Sequence, residues 1–138
     1  MIILSVDYGD TRTGLAVCDK FEMLASPVTV INEKDAEKLA HTVSEKAAEL
    51  KAQQIVVGLP KNMDGTEGFR AEACRHFAEL LYDLTGLPVD LQDERLTTVS
   101  AHGILNETNT RGKKRKAVVD AVSAVLILED YIRKRKNQ

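Results

Sequence analysis

The sequence predicts a mixed α/β fold in which three antiparallel strands open the chain and two parallel strands then join the sheet through helices. Three observations carry that prediction. Four of the five residues from Ile2 to Val6 are aliphatic, the pattern of a strand buried on both faces. Gly9 and Gly14 bracket a polar turn, after which Leu15, Ala16, Val17 and Cys18 begin a second apolar run, so the chain starts with a hairpin. Beyond residue 33, long stretches of helical periodicity alternate with short β-type runs, as in sheets built by helical crossovers. The predicted order is β-β-β-α-β-α-β-α-α, in a single domain over residues 1–138.

Each element has its own signal. Ala25 to Ile31 reads as a third strand, with Pro27 suited to a sheet edge. Asn32 is placed to cap a helix from Glu33 to Lys51, with Ala36, Leu39, Ala40, Val43, Ala47 and Leu50 on one face. Gln53 to Gly58 is a buried strand, and the helix before it makes it parallel to the first. The loop from Gly58 to Gly68 is polar and rich in turn formers, and it leaves the carboxyl end of a parallel strand, where α/β sheets build their sites. It contains no Gly-Lys-Ser/Thr, so it is not a P-loop. Phe69, Ala73, Phe77, Leu80, Leu81 and Leu84 mark one face of a second helix ending at Gly86. Pro88 to Gln92 forms the fifth strand and delivers Asp93, Glu94 and Arg95 to its end. Thr97 or Thr98 caps a short helix, and a last helix from Arg115 to Arg133 faces the core with Val118, Ala121, Val122, Val125, Leu128 and Ile132.

Composition narrows the class. With 43% hydrophobic and 29% charged residues the chain is typical of a soluble globular protein. No apolar run approaches the ~20 residues that span a bilayer, and no signal-peptide pattern opens the chain. A cytoplasmic location, with no membrane partner, is the expectation. Cys18 and Cys74 lack metal-ligand spacing and read as reduced, small hydrophobes. His41, His76 and His102 are isolated and none reads as a metal ligand. The net charge of −2 hides an asymmetry: residues 1–110 carry −8 and residues 111–138 carry +6. The basic charge sits in two clusters, Arg111 with Lys113, Lys114, Arg115 and Lys116, and Arg133 to Lys136. Such clusters can neutralise phosphates; the terminal one reads equally well as a solvated helix end.

Three acidic residues fall where their surroundings solvate them least: Asp7 on the first strand, Glu94 after the last strand, and Asp120 among apolar neighbours on the last helix. Taken alone, Asp120 is an ordinary first-turn acid that complements the helix dipole. Together, with the first strand central and the last helix packed across it, the three can converge at one end of the sheet. Clustered carboxylates repel, and burial protonates at least one of them. A hard divalent cation removes both problems: Mg²⁺ or Mn²⁺ takes carboxylate oxygens and retains positions for water and phosphate. Two such ions, about 4 Å apart, can activate a water and stabilise the leaving oxygen of a phosphodiester. Spacing does not decide between Asp93 and Glu94, since neighbours at a strand end point opposite ways.

Four blocks then resemble one family. Asp7-Tyr8-Gly9 with Arg12-Thr13-Gly14-Leu15-Ala16, Val57-Gly58-Leu59-Pro60-Lys61-Asn62-Met63-Asp64-Gly65, Asp93-Glu94-Arg95-Leu96-Thr97-Thr98 and Val119-Asp120-Ala121 are similar to the signature blocks of the YqgF family, in the family's order. Members are described as Holliday junction resolvases and as nucleases that process the 5′ end of pre-16S ribosomal RNA. The resemblance implies a ribonuclease-H-like fold with strand order 3-2-1-4-5, strand 2 antiparallel. It also implies metal-dependent phosphodiester hydrolysis with Asp7, Glu94 and Asp120 as the acidic, metal-binding triad. Arg12 and Arg95 are then expected as phosphate clamps or carboxylate partners. Lys61 and Asn62 are expected to touch the substrate backbone, and Lys113 and Lys114 to bind its phosphates. The partner is nucleic acid, a structured rRNA precursor or branched DNA. Aromatic residues make up only 4% of the chain, which favours recognition by backbone and shape over base stacking. The chain acts as a monomer, or as a homodimer where two cuts are needed.

Two rivals differ in kind. Asp7, Gly9 and Thr11 also resemble the first phosphate loop of actin-like ATP-binding domains, but those need a second domain to enclose the nucleotide. A non-catalytic nucleic-acid-binding accessory factor would use the basic clusters and tolerate Asp7→Asn.

Overall fold

The computed structural model describes residues 1–94 and 112–137, without the side chains of residues 112–121. The strands are β1 (Ile3–Asp7), β2 (Arg12–Cys18), β3 (Ala25–Asn32), β4 (Gln54–Leu59) and β5 (Val89–Asp93). The helices are α1 (Ala36–Glu49), α2 (Phe69–Thr85) and α3 (Gly112–Lys136). They form one five-stranded sheet in the order β3-β2-β1-β4-β5. β2 is antiparallel to both of its neighbours, while β4 and β5 extend the sheet in parallel from β1. The ribonuclease-H-like order expected from the sequence is the one observed.

Strand alternation divides the core in two. Leu4 and Val6 on β1, with Ile55, Val57 and Leu59 on β4, pack against Leu39, Val43, Cys74, Phe77 and Leu81 of α1 and α2. Ile3 and Val56 point the other way, toward Ala124, Ile127, Leu128, Tyr131 and Ile132 of α3. Ser5 faces α3 as well. It is fully buried, and its hydroxyl donates to the Ala124 carbonyl at 2.7 Å, so its polarity is satisfied inside the core. Apolar burial on both sides of β1 places the centre of the sheet deepest in the core.

Several local expectations are corrected. Asn32 ends β3 opposite Arg12 and does not cap α1. The cap is Asp35, whose carboxylate accepts from the Glu37 and Lys38 amides at 2.9 and 3.2 Å; a charged oxygen also complements the helix dipole. On α2, Phe69 is 87% exposed and Leu84 is also exposed. The buried stripe is Ala71, Cys74, Phe77, Ala78 and Leu81, with Phe77 stacked on Tyr8 while Phe69 opens the helix in solvent. On α3, Leu128 and Ile132 are buried as expected and Ala124, Ile127 and Tyr131 join them, while Val122 and Val125 are only partly buried; the side chains of Val118 and Ala121 lie outside the described part. Pro27 lies on the edge strand as expected. Beside it the β2–β3 register slips between Leu15 and Ala16, a bulge that blunts the edge. The helix expected after Thr97 or Thr98, and His102, lie outside the described residues. His41 and His76 are exposed.

Candidate active site

The first carboxylate is delivered by β1. Asp7 is its last residue, two positions beyond Ser5 and therefore on the face that α3 covers. The chain must reverse at once, and Gly9 permits it: a β-carbon there would lie 2.0 Å from the Arg12 carbonyl oxygen. The buried Thr13 hydroxyl accepts from the Gly9 amide at 3.2 Å and closes the turn. Asp7 pairs with Gly14 on β2. Arg12, two residues before Gly14, shares that sheet face and lies at the same end of the sheet.

The second carboxylate comes from β5. Leu59 pairs with Asp93, and the ladder runs one step further, with the Glu94 amide donating to the Leu59 carbonyl at 3.2 Å. Alternation sends Asp93 to the side of Val89 and Leu91. Glu94 falls on the side of Asp7, and the structure thus distinguishes two neighbours that spacing cannot. Gly58 makes room for it. A β-carbon at position 58 would stand 2.7 Å from Glu94 Oε2 and 2.6 Å from Ile127 Cδ1 of α3. The glycine of the Val57-Gly58-Leu59 block is there because a carboxylate occupies the space over it.

The electrostatics of Glu94 are unusual. Its Oε2 is buried and has no hydrogen-bond partner among the described residues. Burial, then the charge of Asp7, push its pKa up to about 8; Arg70 pulls it down and Asp93 pushes it further up. A half-desolvated pair of oxygen donors with an excess of negative charge suits a divalent cation. Among the described residues no cluster of three His, Cys, Asp or Glu side chains is found. Asp120 lies on α3, which packs against β1, but its side chain is outside the described part. Arg95 is likewise outside the described residues, as are the side chains of Lys113 and Lys114.

Two further features had no signal in the sequence. Arg70, in the first turn of α2, donates to the Tyr8 carbonyl at 2.5 Å and pairs with Asp10 at 2.6 Å. Its guanidinium lies 5.3 Å from the Tyr8 ring, which itself stacks on Phe77 at 4.3 Å. The turn next to Asp7 is thereby fastened to α2. The loop after β4 is also shaped from within. Gly65, with φ of 91°, donates to the Asn62 carbonyl, the Asn62 amide donates to the Thr66 carbonyl, and the Asn62 side chain donates to the Thr66 hydroxyl. Asn62 therefore organises the loop that presents Lys61. Glu67 closes the loop onto α2 through a paired contact with Arg75, both oxygens at 2.6 Å.

Cys74 lies under the same region. Burial chiefly, then the Glu94, Asp7 and Asp10 charges against Arg70, push its thiol up to about 12, so it is a core residue and not a nucleophile. The terminal basic cluster is only partly solvated. Arg135 pairs with Glu22 at 3.1 Å, Lys136 donates to the Glu22 carbonyl at 2.9 Å, and Arg133 pairs with Asp130.

Parallel strands ending in carboxylates, with a helix across the central strand, define a ribonuclease-H-like fold. The solved structure of Thermus thermophilus RuvC in complex with Holliday junction substrate aligns with a TM-score of 0.64 at 13% identity, covering 100% of this chain and 97% of that one. Such a likeness shows the fold. The family model described as RuvX: Holliday junction resolvase matches residues 1–134, and the chain belongs to that family. Among its relatives, proteins of Protochlamydia amoebophila and Lactiplantibacillus plantarum, each named "Putative pre-16S rRNA nuclease", are 44% and 46% identical. Each alignment covers 96% of this chain, with 93% and 94% of the relative.

Proposed function

We propose that this protein is a metal-dependent nuclease that cuts phosphodiester bonds, acting on the 5′ end of pre-16S rRNA and also able to resolve four-way DNA junctions. The observation that carries the reading is Glu94 Oε2: a buried carboxylate oxygen, without a hydrogen-bond partner among the described residues, on the same sheet face as Asp7. Asp7 and Glu94, with Asp120 from α3, would hold Mg²⁺ or Mn²⁺, two ions once substrate is bound. The metal supplies an activated water and neutralises charge on the leaving oxygen.

The rest is the work of the chain's own groups. β1 and β5 fix the two carboxylates on rigid strand ends, so no reorganisation is needed when substrate arrives. Gly58 keeps the floor of the site open. Arg70 holds the turn after Asp7 in place. Arg12, Arg95, Lys61, Lys113 and Lys114 are the expected phosphate contacts, with Asn62 shaping the loop between them. The name shared by the relatives favours the rRNA precursor, and the family description favours the junction.

The test is a cleavage assay on a labelled pre-16S 5′ leader and a labelled four-way junction, with Mg²⁺ or Mn²⁺. Asp7→Asn, Glu94→Gln and Asp120→Asn, each checked for a native thermal transition, are expected to abolish cutting. Wild-type protein inert under both metals, with nucleic-acid binding intact in all three variants, would leave a binding factor instead.

A further inference from the structure

The β2–β3 turn is built inside out. Phe21, Met23 and Leu24 are 70%, 76% and 67% exposed, three of the largest apolar exposures among the described residues. The two acids between and before them are both engaged, Asp19 by the backbone of the turn and Glu22 by groups beneath it. Asp19 accepts from the backbone amides of Phe21, Met23 and Leu24 at 3.2, 2.8 and 2.9 Å. Glu22 turns back to Arg135 and to the Met1 ammonium, and it adopts φ of 56°, a left-handed conformation that glutamate seldom takes. Strain of this kind persists only where the surroundings enforce it. A turn free to relax would expose the glutamate and cover the apolar groups; here α3 holds it the other way.

The rim is cationic. The Lys20 ammonium lies 5.1 Å from the Phe21 ring, and the Lys136 ammonium lies 3.8 Å from the Met23 sulfur. β2 runs antiparallel to β1, so the turn sits at the end of the sheet opposite Asp7. A ligand there leaves the carboxylates open.

We propose that this turn is a docking surface for an acidic, apolar segment of a partner protein, whose large side chains cover Phe21, Met23 and Leu24 while its carboxylates meet Lys20 and Lys136. Charge complementarity selects that occupant. A second copy meeting the same patch across a two-fold axis would bring a further Lys20 and Lys136 to the interface instead of the carboxylates that answer them. Nucleic acid gains little from Met23 and Leu24, which offer neither a stacking plane nor a hydrogen-bond donor. The inference is independent of the nuclease reading.

The experiment is peptide display. Random peptides of about 16 residues are selected on the immobilised full chain and counter-selected on Phe21→Ser/Met23→Ser/Leu24→Ser. The enriched sequences are synthesised and titrated by fluorescence anisotropy. Selected peptides should carry Asp or Glu around two or more large apolar residues, and should weaken roughly tenfold or more on the serine variant and on Lys20→Glu/Lys136→Glu. Lys20→Glu alone, at an exposed position, keeps the test decisive if a multiple variant fails to fold. Enrichment with no acidic bias, or none that depends on the turn, overturns the proposal. So does a wild-type dimer in sedimentation that the serine variant dissolves, or binding of leader RNA or of anionic phosphatidylglycerol vesicles that the serine variant loses.

Discussion

Gly58 lies directly beneath the Glu94 carboxylate: the space a β-carbon at 58 would occupy is 2.7 Å from Glu94 Oε2 and 3.0 Å from its carboxyl carbon. Ile127 blocks retreat on the α3 side at 2.6 Å. Gly58→Ala must therefore displace Glu94, Ile127 or the strand. Overpacking of this kind costs about 1–3 kcal/mol, more than alanine's better strand propensity returns. The melting temperature should fall, and cleavage should fall at least roughly tenfold, since a misplaced carboxylate loses its alignment. An unchanged melting temperature with full cleavage would mean that Glu94 is not held where the geometry puts it.

The raised pKa of Glu94 has a sign that can be measured without any substrate. In the unfolded chain it titrates near the usual glutamate value; in the folded chain burial and Asp7 raise it to about 8. Between those values the folded state holds a proton that the unfolded state has released. Stability is then greatest at the acid side of that window and declines as pH climbs toward 8, by up to about 1.4 kcal/mol per pH unit for one group. Denaturant titrations in chelator should show that decline, and Glu94→Gln should flatten it. Mg²⁺ should restore stability at pH 8 to the wild type and not to the variant.

The opening hairpin, the parallel additions and the odd position of Asp7 were legible in the residues, because burial on both faces of β1 writes an aliphatic run broken only by Ser5 and because β-then-α alternation dictates parallel strands; the full strand order came with the family resemblance. Spacing did not separate Glu94 from Asp93, since that depends on which sheet face α3 covers; only the family resemblance pointed to Glu94. Arg70 and the Glu67–Arg75 pair left no signal either: charged residues on an exposed helix surface have no periodicity, and their partners are set by tertiary packing. The same holds for Arg135 and Lys136, read as free basic charge until a turn 113 or more positions earlier is seen to hold them.

Glu67 and Arg75 form a two-point contact at the mouth of the loop that carries Lys61. Lysine cannot reproduce the paired geometry. Because the pair is exposed, Arg75→Lys should change stability by less than about 1 kcal/mol. Its effect should appear in the loop: faster limited proteolysis between residues 60 and 68, and a raised KM with kcat nearly unchanged, as expected when binding contacts lose their preorganisation. A change in kcat alone would place Arg75 elsewhere in the reaction.

Both cysteines should be inert in the native protein. Cys74 is buried with its thiol pushed up to about 12, and Cys18 is buried and also raised, chiefly by burial. Iodoacetamide at pH 8 should label neither until denaturant is added. Rapid native labelling of Cys74 would show that α2 opens readily over the site.

Arg70 links the turn after Asp7 to α2 by two strong contacts, one to a backbone carbonyl and one to a carboxylate. Arg70→Gln keeps much of the length and removes the charge and the fork. The Asp10 contact is exposed and contributes little by itself, but the Tyr8 carbonyl loses a charged donor, for which about 1–2 kcal/mol is reasonable. The larger consequence is positional. Tyr8 follows Asp7 directly, and a looser turn lets the carboxylate wander at the strand end. Cleavage by Arg70→Gln should therefore fall in kcat with KM little changed, and Arg70→Lys should recover only part of it. Loss of the cation also removes the influence that holds Glu94 down, so in chelator the pH-dependent loss of stability should extend to higher pH than in wild type. If kcat survives intact while stability drops, Arg70 braces the fold and leaves Asp7 untouched.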